Sequence, residues 1–148
     1  MRYLVDTNVL LRRTDASSAD NAVCSKAVEA LLETGQDLCV CAQVLIEFWS
    51  VSTRPLEVNG LGLPLDVACL QVTDFRETFT CLLELPDMAE RWQAVAEKHS
   101  VLGKQAHDAR VAALMLAHGV THILTLNPTD FARYSDITAV TPLQILGR

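Results

Sequence analysis

The chain has 148 residues, of which 50% are hydrophobic, so we expect one domain, 1–148, with a substantial core. It contains no apolar run of about 18 residues, and Asp6 interrupts its apolar start, which predicts a cytoplasmic protein with neither a membrane-spanning helix nor a signal peptide. The net charge of −6 excludes nucleic-acid binding through a broadly basic surface, which leaves a metal ion or a few Arg and Lys side chains as the means.

The predicted elements alternate between strand and helix along the chain. Strands are predicted at 2–5, 37–41, 80–85, 121–126 and 137–140. Helices are predicted at 7–13, 16–35, 42–53, 65–80, 87–100 and 104–119, with a short helix at 128–134. Residues 54–64 hold two Pro and two Gly and are predicted to form a loop. The alternation predicts an α/β fold with a central parallel sheet covered on both faces.

Five cysteines occur, at positions 24, 39, 41, 69 and 81. An odd number of cysteines without a Cys-x-x-Cys pair supports neither a zinc site nor a disulfide framework. We therefore expect these side chains to be small buried hydrophobic groups.

Polar side chains follow two of the predicted strands directly. Asp6 comes after the strand at 2–5, and Asn127 comes after the strand at 121–126. Sites in parallel sheets form beyond the carboxyl ends of the strands, so both residues are candidates for a site. Both also have an alternative role at a helix start: Asp is a favoured N-cap, and Asn127 with Pro128 and Asp130 resembles a capping box.

Asp108 lies in the first turn of the helix predicted at 104–119, where the helix dipole alone favours an acid. Helical spacing places it on the same side as Val111, Ala112 and Met115, which is predicted to face inward. The spacing therefore favours a partly buried carboxylate, while the dipole role stays as the alternative.

Glu47 is the single charge in the helical stretch AQVLIEFWSV, residues 42–51. At about 100° per residue it shares a narrow polar sector with Gln43, Ser50 and Arg54. The sector either faces solvent or lines a cleft, and in a cleft the carboxylate needs a cation or hydrogen-bond donors. The surrounding apolar side chains are predicted to hold this helix against the sheet.

The candidate residues are hard oxygen ligands predicted to lie at one edge of the sheet. A cluster of two to four such ligands suits Mg²⁺ or Mn²⁺, which retain waters and bind phosphates. The four His residues show no spacing typical of a site for a softer metal.

The stretches YLVDTNVLLRR, QVLIEFWSV and GKQAHDARVAALMLAHGVTHILTLNPTDF resemble the PIN-domain nucleases, and among them the VapC-type toxins of bacterial toxin–antitoxin pairs. The resemblance covers essentially the whole chain and implies a three-layer α/β/α fold. It implies that Asp6, Glu47 and Asp108 are catalytic and ligate Mg²⁺ or Mn²⁺, with Asn127 at a fourth metal position. The family often has Asp there, so Asn127 removes a charge and weakens the expectation of a second metal ion, although Asp130 is close in sequence.

The implied reaction is hydrolysis of RNA by an attacking water, which yields a 5′-phosphate, with Glu47 as general base or as the group that orients the water. Thr7 resembles the family's small hydroxyl residue beside the first acid. Arg12 and Lys104 are candidate phosphate contacts, and His107 is a candidate auxiliary donor, with solvated surface charge as the alternative for the two cations. The implied partners are an RNA substrate, a cognate antitoxin and a second copy in a homodimer.

Three alternative functions can be compared with the sequence motifs. A catalytically degenerate PIN domain that only binds a partner remains an alternative, and the Asn at position 127 favours it. A phosphatase of the haloacid-dehalogenase type is disfavoured, because Asn8 stands where that chemistry requires a second Asp. A P-loop NTPase is excluded by the absence of Gly-x-x-x-x-Gly-Lys-Ser/Thr.

Overall fold

The computed structural model describes residues 1–147 and contains a parallel sheet of five strands in the order β3-β2-β1-β4-β5. The strands are β1 (Arg2–Val5), β2 (Asp37–Cys41), β3 (Thr80–Leu82), β4 (His122–Leu124) and β5 (Thr138–Val140). All five predicted strands are present and parallel, although β3 and β4 are shorter than expected. In the centre of the sheet, Leu4 pairs with Cys39 on one side and with Ile123 on the other.

Helices pack on both faces of this sheet and complete three α/β/α layers. They are α1 (Thr7–Thr14), α2 (Asn21–Glu33), α3 (Ala42–Thr53), α4 (Leu65–Thr78), α5 (Met88–Lys98), α6 (Gln105–Ala117) and α7 (Pro142–Ile145). Neighbouring residues of a strand point to opposite faces, and Leu4 and Val5 are both fully buried, so both faces are covered. Among residues 1–147, no helix has the length and apolar character needed to cross a membrane.

The helical segments differ from the prediction in four main places. Helix α2 begins at Asn21 and not at 16, because Asp15 and Ser18 hold the preceding residues in turns. The predicted loop at 54–64 contains a 3-10 turn at Leu56–Val58, and the predicted helix at 128–134 is a 3-10 turn at Pro128–Phe131. Helix α7 was not predicted; its capping box joins Thr141 and Gln144.

Apolar side chains from the strands and helices fill the core. Phe48 of α3 meets Phe75 of α4 edge to face, with ring centroids 4.9 Å apart, and this contact joins the two helices. The cysteine prediction is correct for three residues and wrong for Cys69 and Cys81, which are exposed free thiols. Cys81 is exposed on β3, which is an edge strand, so fewer neighbours cover it.

Candidate active site

Asp6 occupies the junction between β1 and α1 at the carboxyl edge of the sheet. It is the N-cap of α1, because its Oδ1 accepts a hydrogen bond of 2.8 Å from the Thr7 backbone N–H. Its Oδ2 accepts bonds from the hydroxyl of Thr125 at 2.7 Å and from Nδ2 of Asn8 at 3.3 Å. Burial nevertheless raises the pKa of Asp6, and the charges of Glu47 and Asp130 raise it further. The residue therefore caps the helix and also belongs to a wider group of acids.

Glu47 is held at both carboxylate oxygens. The hydroxyl of Thr7 donates to Oε2 at 3.0 Å, and Nε2 of Gln43 donates to Oε1 at 3.0 Å. Helix α3 follows β2 without a loop, so its first turns lie at the same sheet edge as Asp6. Glu47 is half-buried and Gln43 and Thr7 are buried, which excludes the alternative of a purely solvent-facing stripe.

Asp108 is half-buried in the first turn of α6. Its pKa is raised to about 6, first by burial and then by the charges of Asp130, Asp6 and Glu47, while His107 acts in the opposite direction. The residues expected to share its inward face, Val111, Ala112 and Met115, are buried as predicted. These electrostatic effects define one acid group, which consists of Asp6, Glu47, Asp108 and Asp130.

No salt bridge within residues 1–147 neutralises the acid group. The salt bridges among residues 1–147 are Arg2–Asp37, Arg91–Asp87 and Arg110–Glu84, and none includes a member of the group. Clustered carboxylate oxygens are the donor set that suits Mg²⁺ or Mn²⁺. Within the described part of the chain, however, no three His, Cys, Asp or Glu side chains are close enough to hold one ion together. The donor chemistry therefore fits an ion that one or two carboxylates contact directly, with waters completing its shell.

Asn127 and Asp130 are the two predicted site residues in the segment after β4. Asn127 is exposed, and its side chain makes no hydrogen bond to residues 1–147. The predicted capping box at 127–130 does not form, because the Asn127 N–H donates instead to Thr125 at 3.0 Å. Asp130 is the neighbouring charge that raises the pKa of Asp108 most, so the fourth acid of the group is Asp130. The ligand role of Asn127 stays a prediction.

The predicted cations and His107 are all exposed. The side chains of Arg12 and Lys104 form no salt bridge or hydrogen bond within residues 1–147. The ring of His107 makes no hydrogen bond in the same part of the chain, whereas its backbone carbonyl accepts one of 2.7 Å from Gln43. Their roles in substrate binding stay predictions.

Two residues of the site were missed from the sequence. Thr125 is fully buried; its hydroxyl donates to Asp6 and accepts from Asn8 Nδ2 at 3.3 Å and from the Asn127 N–H. Asn8 Oδ1 accepts a 3.1 Å bond from the Leu126 N–H, so Asn8 joins the start of α1 to the segment after β4. Asn8 stands two residues after Asp6, and Thr125 stands two residues before Asn127. This position near two strand ends is the signal that could have identified them.

A groove opens beside Glu47 along the outer side of α3. Its volume is about 520 Å³, and it is lined by Gln43, Ile46, Glu47, Ser50, His107 and Arg110. Val44 and Phe48 are fully buried and hold α3 on the sheet as predicted, but Ile46 is 66% exposed and forms part of the groove wall. Glu47 is the member of the acid group that lines this groove, whose walls are of mixed polarity.

The chain is similar to a known protein family and to several solved structures. The PIN domain family model matches residues 3–137. No curated protein sequence matches the chain. Among solved structures, VapBC-1 from nontypeable Haemophilus influenzae is similar with a TM-score of 0.69 and 16% identity, covering 97% of this chain and 99% of that one.

Two further structures share the fold. VapBC2 from Rickettsia felis, bound to a promoter DNA fragment, gives a TM-score of 0.68 at 14% identity over 95% of this chain and 98% of that chain. VapC20 from Mycobacterium tuberculosis, described as a toxin that cleaves the sarcin-ricin loop, gives 0.58 at 16% identity over 82% of this chain and 86% of that chain. The family match spans most of the sequence, and the chain belongs to the PIN-domain family.

Proposed function

We propose that this protein is an endoribonuclease that depends on Mg²⁺ or Mn²⁺ and serves as the toxin of a toxin–antitoxin pair in the cytoplasm. The observation that carries the proposal is the acid group, in which four carboxylates share one sheet edge without a cationic partner in residues 1–147. Such an arrangement is costly unless an external cation neutralises it. A PIN-fold relative described as cleaving the sarcin-ricin loop supports RNA as the substrate class.

Asp6 and Asp108 are the residues that we propose to hold the ion, with Glu47 and either Asp130 or Asn127 beside it. When bound, the ion supplies positive charge to the scissile phosphate and lowers the pKa of a nearby water. Asp6 is oriented for this role by Thr125 and by the Thr7 N–H. The acids together exclude RNA by repulsion as long as the cation is absent.

Glu47 is the proposed general base, or the group that orients the attacking water. Hydrogen bonds from Thr7 and Gln43 hold both of its oxygens, so its carboxylate needs little reorganisation. The buried Thr7 hydroxyl is engaged with Glu47, and this contact supports a role in holding the carboxylate more than direct contact with RNA. Arg12 and Lys104 remain proposed phosphate contacts. Attack by water leaves the RNA 2′-OH unused and yields a 5′-phosphate.

The test is RNA cleavage by metal-stripped protein before and after addition of Mg²⁺ or Mn²⁺. We expect no cleavage in EDTA, recovery with either ion, 5′-phosphate ends, and loss of cleavage in Asp6→Ala with an unchanged circular dichroism spectrum. Equal cleavage in EDTA would contradict the mechanism, and a fully active Asp6→Ala would remove that residue from the site.

A partner-binding PIN domain without activity is the second candidate. Two observations favour it: no three acids of residues 1–147 are in position for a common ion, and Asn127 carries no charge. The same titration separates the two functions, since the binding module predicts neither cleavage nor specific uptake of Mn²⁺. A cognate antitoxin is proposed as partner under both candidates, because similar folds come from VapBC complexes, and a homodimer is proposed from the family resemblance.

A further inference from the structure

Gln43 is a buried amide at the centre of a hydrogen-bond chain between α3 and α6. It is 8% exposed. Its Nε2 donates to Glu47 Oε1 at 3.0 Å and to the His107 backbone carbonyl at 2.7 Å. Its Oε1 accepts from Arg110 at 2.9 Å. Every hydrogen-bonding atom of this side chain therefore has a partner, which is the condition for burying an amide without loss of stability.

Arg110 determines which end of the amide faces Glu47. A guanidinium only donates hydrogen bonds, so it requires the oxygen of Gln43 and leaves the NH₂ group for Glu47 and the His107 carbonyl. Arg110 is itself fixed on its other side, where it donates to Glu84 Oε1 at 2.6 Å. The Arg110–Glu84 ion pair thus selects the amide orientation in which Gln43 donates to both Glu47 and the His107 carbonyl.

The two bonds donated by Gln43 join the elements that carry two of the acids. Glu47 lies one turn after Gln43 on α3, and the His107 carbonyl is adjacent to Asp108 in the first turn of α6. Carboxylates repel one another, and Glu47 and Asp108 are close enough for the charge of Glu47 to perturb Asp108. A side chain that bridges the two supporting helices opposes their separation.

We propose that Gln43 is a positioning residue that fixes Glu47 relative to Asp108 and so prepares the site for a divalent cation, with Arg110 setting its amide orientation. This inference rests on the proposed function and adds residues outside the acid group to it. Groups that orient metal-binding carboxylates typically change metal affinity or activity about 10–100-fold when they are removed.

The first test compares Gln43→Leu with Trp92→Phe. Trp92 Nε1 donates to the Ala106 carbonyl at 2.9 Å, so the control also removes a side-chain bond to the first turn of α6 but leaves Glu47 untouched. Mn²⁺ binding is measured directly by titration calorimetry, beside kcat, KM for RNA, and unfolding in urea. For Gln43→Leu we expect Mn²⁺ affinity and kcat to fall at least about tenfold with KM little changed. Trp92→Phe is expected to affect unfolding alone.

Gln43→Glu provides a second variant should Gln43→Leu fail to fold. It keeps the acceptor for Arg110 but has no N–H for Glu47, so it is expected to lose Mn²⁺ affinity to a similar or larger extent. Wild-type Mn²⁺ affinity in either folded Gln43 variant, or an equal loss in Trp92→Phe, would overturn the inference.

The second test is a double-mutant cycle for Mn²⁺ affinity with Arg110→Met. If Arg110 acts through the amide, Arg110→Met weakens Mn²⁺ binding in the wild-type background and changes it less than about twofold in the Gln43→Leu background. Equal effects in both backgrounds would overturn the assigned role of Arg110. A wild-type protein that neither binds Mn²⁺ nor cleaves RNA would overturn the proposed function and this inference together, whereas unaffected Gln43 variants of an active protein overturn the inference alone.

Discussion

The pKa of an aspartate is shifted in opposite directions at the two ends of the sheet. At the amino end, Asp37 opens β2 and accepts hydrogen bonds from Thr80 Oγ1 at 2.7 Å and from Arg2 Nε at 2.6 Å. These contacts lower the pKa of Asp37, with the Thr80 bond as the largest cause and Arg2 as a further one. The charge of this carboxylate is thus satisfied by neighbours on β1 and β3.

At the carboxyl end, Asp6 accepts a threonine hydrogen bond of the same length, 2.7 Å, from Thr125. Its pKa moves upward all the same, because burial and the charges of Glu47 and Asp130 outweigh that bond. The comparison shows that a hydrogen bond alone does not decide the state of a carboxylate; desolvation and the sign of the neighbouring charges decide it. The aspartate at the amino end is neutralised within the chain, and we propose that a bound cation neutralises the acids at the carboxyl end.

The largest expected difference between the two ends is in catalysis. Asp108→Asn should lower RNA cleavage at least about 1,000-fold, because a divalent ion contributes several kcal/mol to stabilisation of the transition state. Asp37→Asn, which removes an acid at the other end, should leave kcat within about twofold. Cleavage of one fluorescent RNA by both purified variants checks this. Comparable losses in the two variants would mean that the ends do not differ in function.

Divalent ions should stabilise the folded protein by binding at the carboxyl end of the sheet and not at the amino end. Saturating Mn²⁺, at about 100 times its Kd, should add about 2.7 kcal/mol to the free energy of unfolding of the wild-type protein. For a chain of this size, that corresponds to a rise in Tm of roughly 5–10 °C. Thermal unfolding of wild type, Asp108→Asn and Asp37→Asn with and without Mn²⁺ measures it. A shift that persists in Asp108→Asn would place the bound ion elsewhere.

The residues at strand ends were the predictable part of this site. Strand and helix periods give the parallel sheet, and the sheet rule then directs attention to Asp6 and Asn127. Helical spacing leaves the roles of Glu47 and Asp108 open, and the family resemblance names both as site residues. The structure brings Asp6, Glu47 and Asp108 close enough for their charges to interact. The sheet and the placement of Asp6 and Asn127 at its carboxyl edge were predictable because they depend on local periods and one topological rule, while the roles of these residues stay predictions.

The hydrogen-bond partners could not be predicted in the same way. Thr125 meets Asp6 across 119 positions and Arg110 meets Gln43 across 67, so their pairing depends on side-chain directions that no local pattern contains. The capping interpretation of Asn127 failed for a related reason, since a buried Thr125 hydroxyl takes the N–H that the capping box requires. Tertiary contacts decided these outcomes over local preference.

The two threonine–aspartate bonds allow a matched test. Thr125→Val removes the donor to Asp6 and the acceptor of the Asn127 N–H, so Mn²⁺ affinity should fall about 10-fold to 100-fold. Thr80→Val removes the equivalent donor to Asp37 and should cost about 0.5–1.5 kcal/mol of stability with Mn²⁺ affinity unchanged. Calorimetric titration and urea unfolding of both variants give the two quantities. An unchanged Mn²⁺ affinity in Thr125→Val would show that this bond does not orient Asp6 for the ion.

The smallest expected effect is a difference in pH dependence. Because the pKa of Asp108 is about 6 in the folded protein and its ordinary value is about 4, the folded state binds more protons than the unfolded state between these pH values. In the metal-free protein, Asp108 therefore contributes to the free energy of unfolding fully below pH 4, and this contribution is lost as the pH rises through 6. Solvent screening of a half-buried group reduces the effect to about 1 kcal/mol. Asp6 contributes in the same direction.

Asp37 acts with the opposite sign and in a different window, because its lowered pKa gives stability that is present above about pH 4 and is lost on further acidification. The free energy of unfolding, measured in urea between pH 4.5 and 7, thus reports on the acids at the carboxyl end of the sheet and not on Asp37. Asp108→Asn should flatten the decline there, while Asp37→Asn should retain it. Saturating Mn²⁺ should reverse the slope in the wild type, since the ion requires the same carboxylates in their deprotonated form. A decline that survives both Asp108→Asn and Mn²⁺ would assign it to groups other than the acid group.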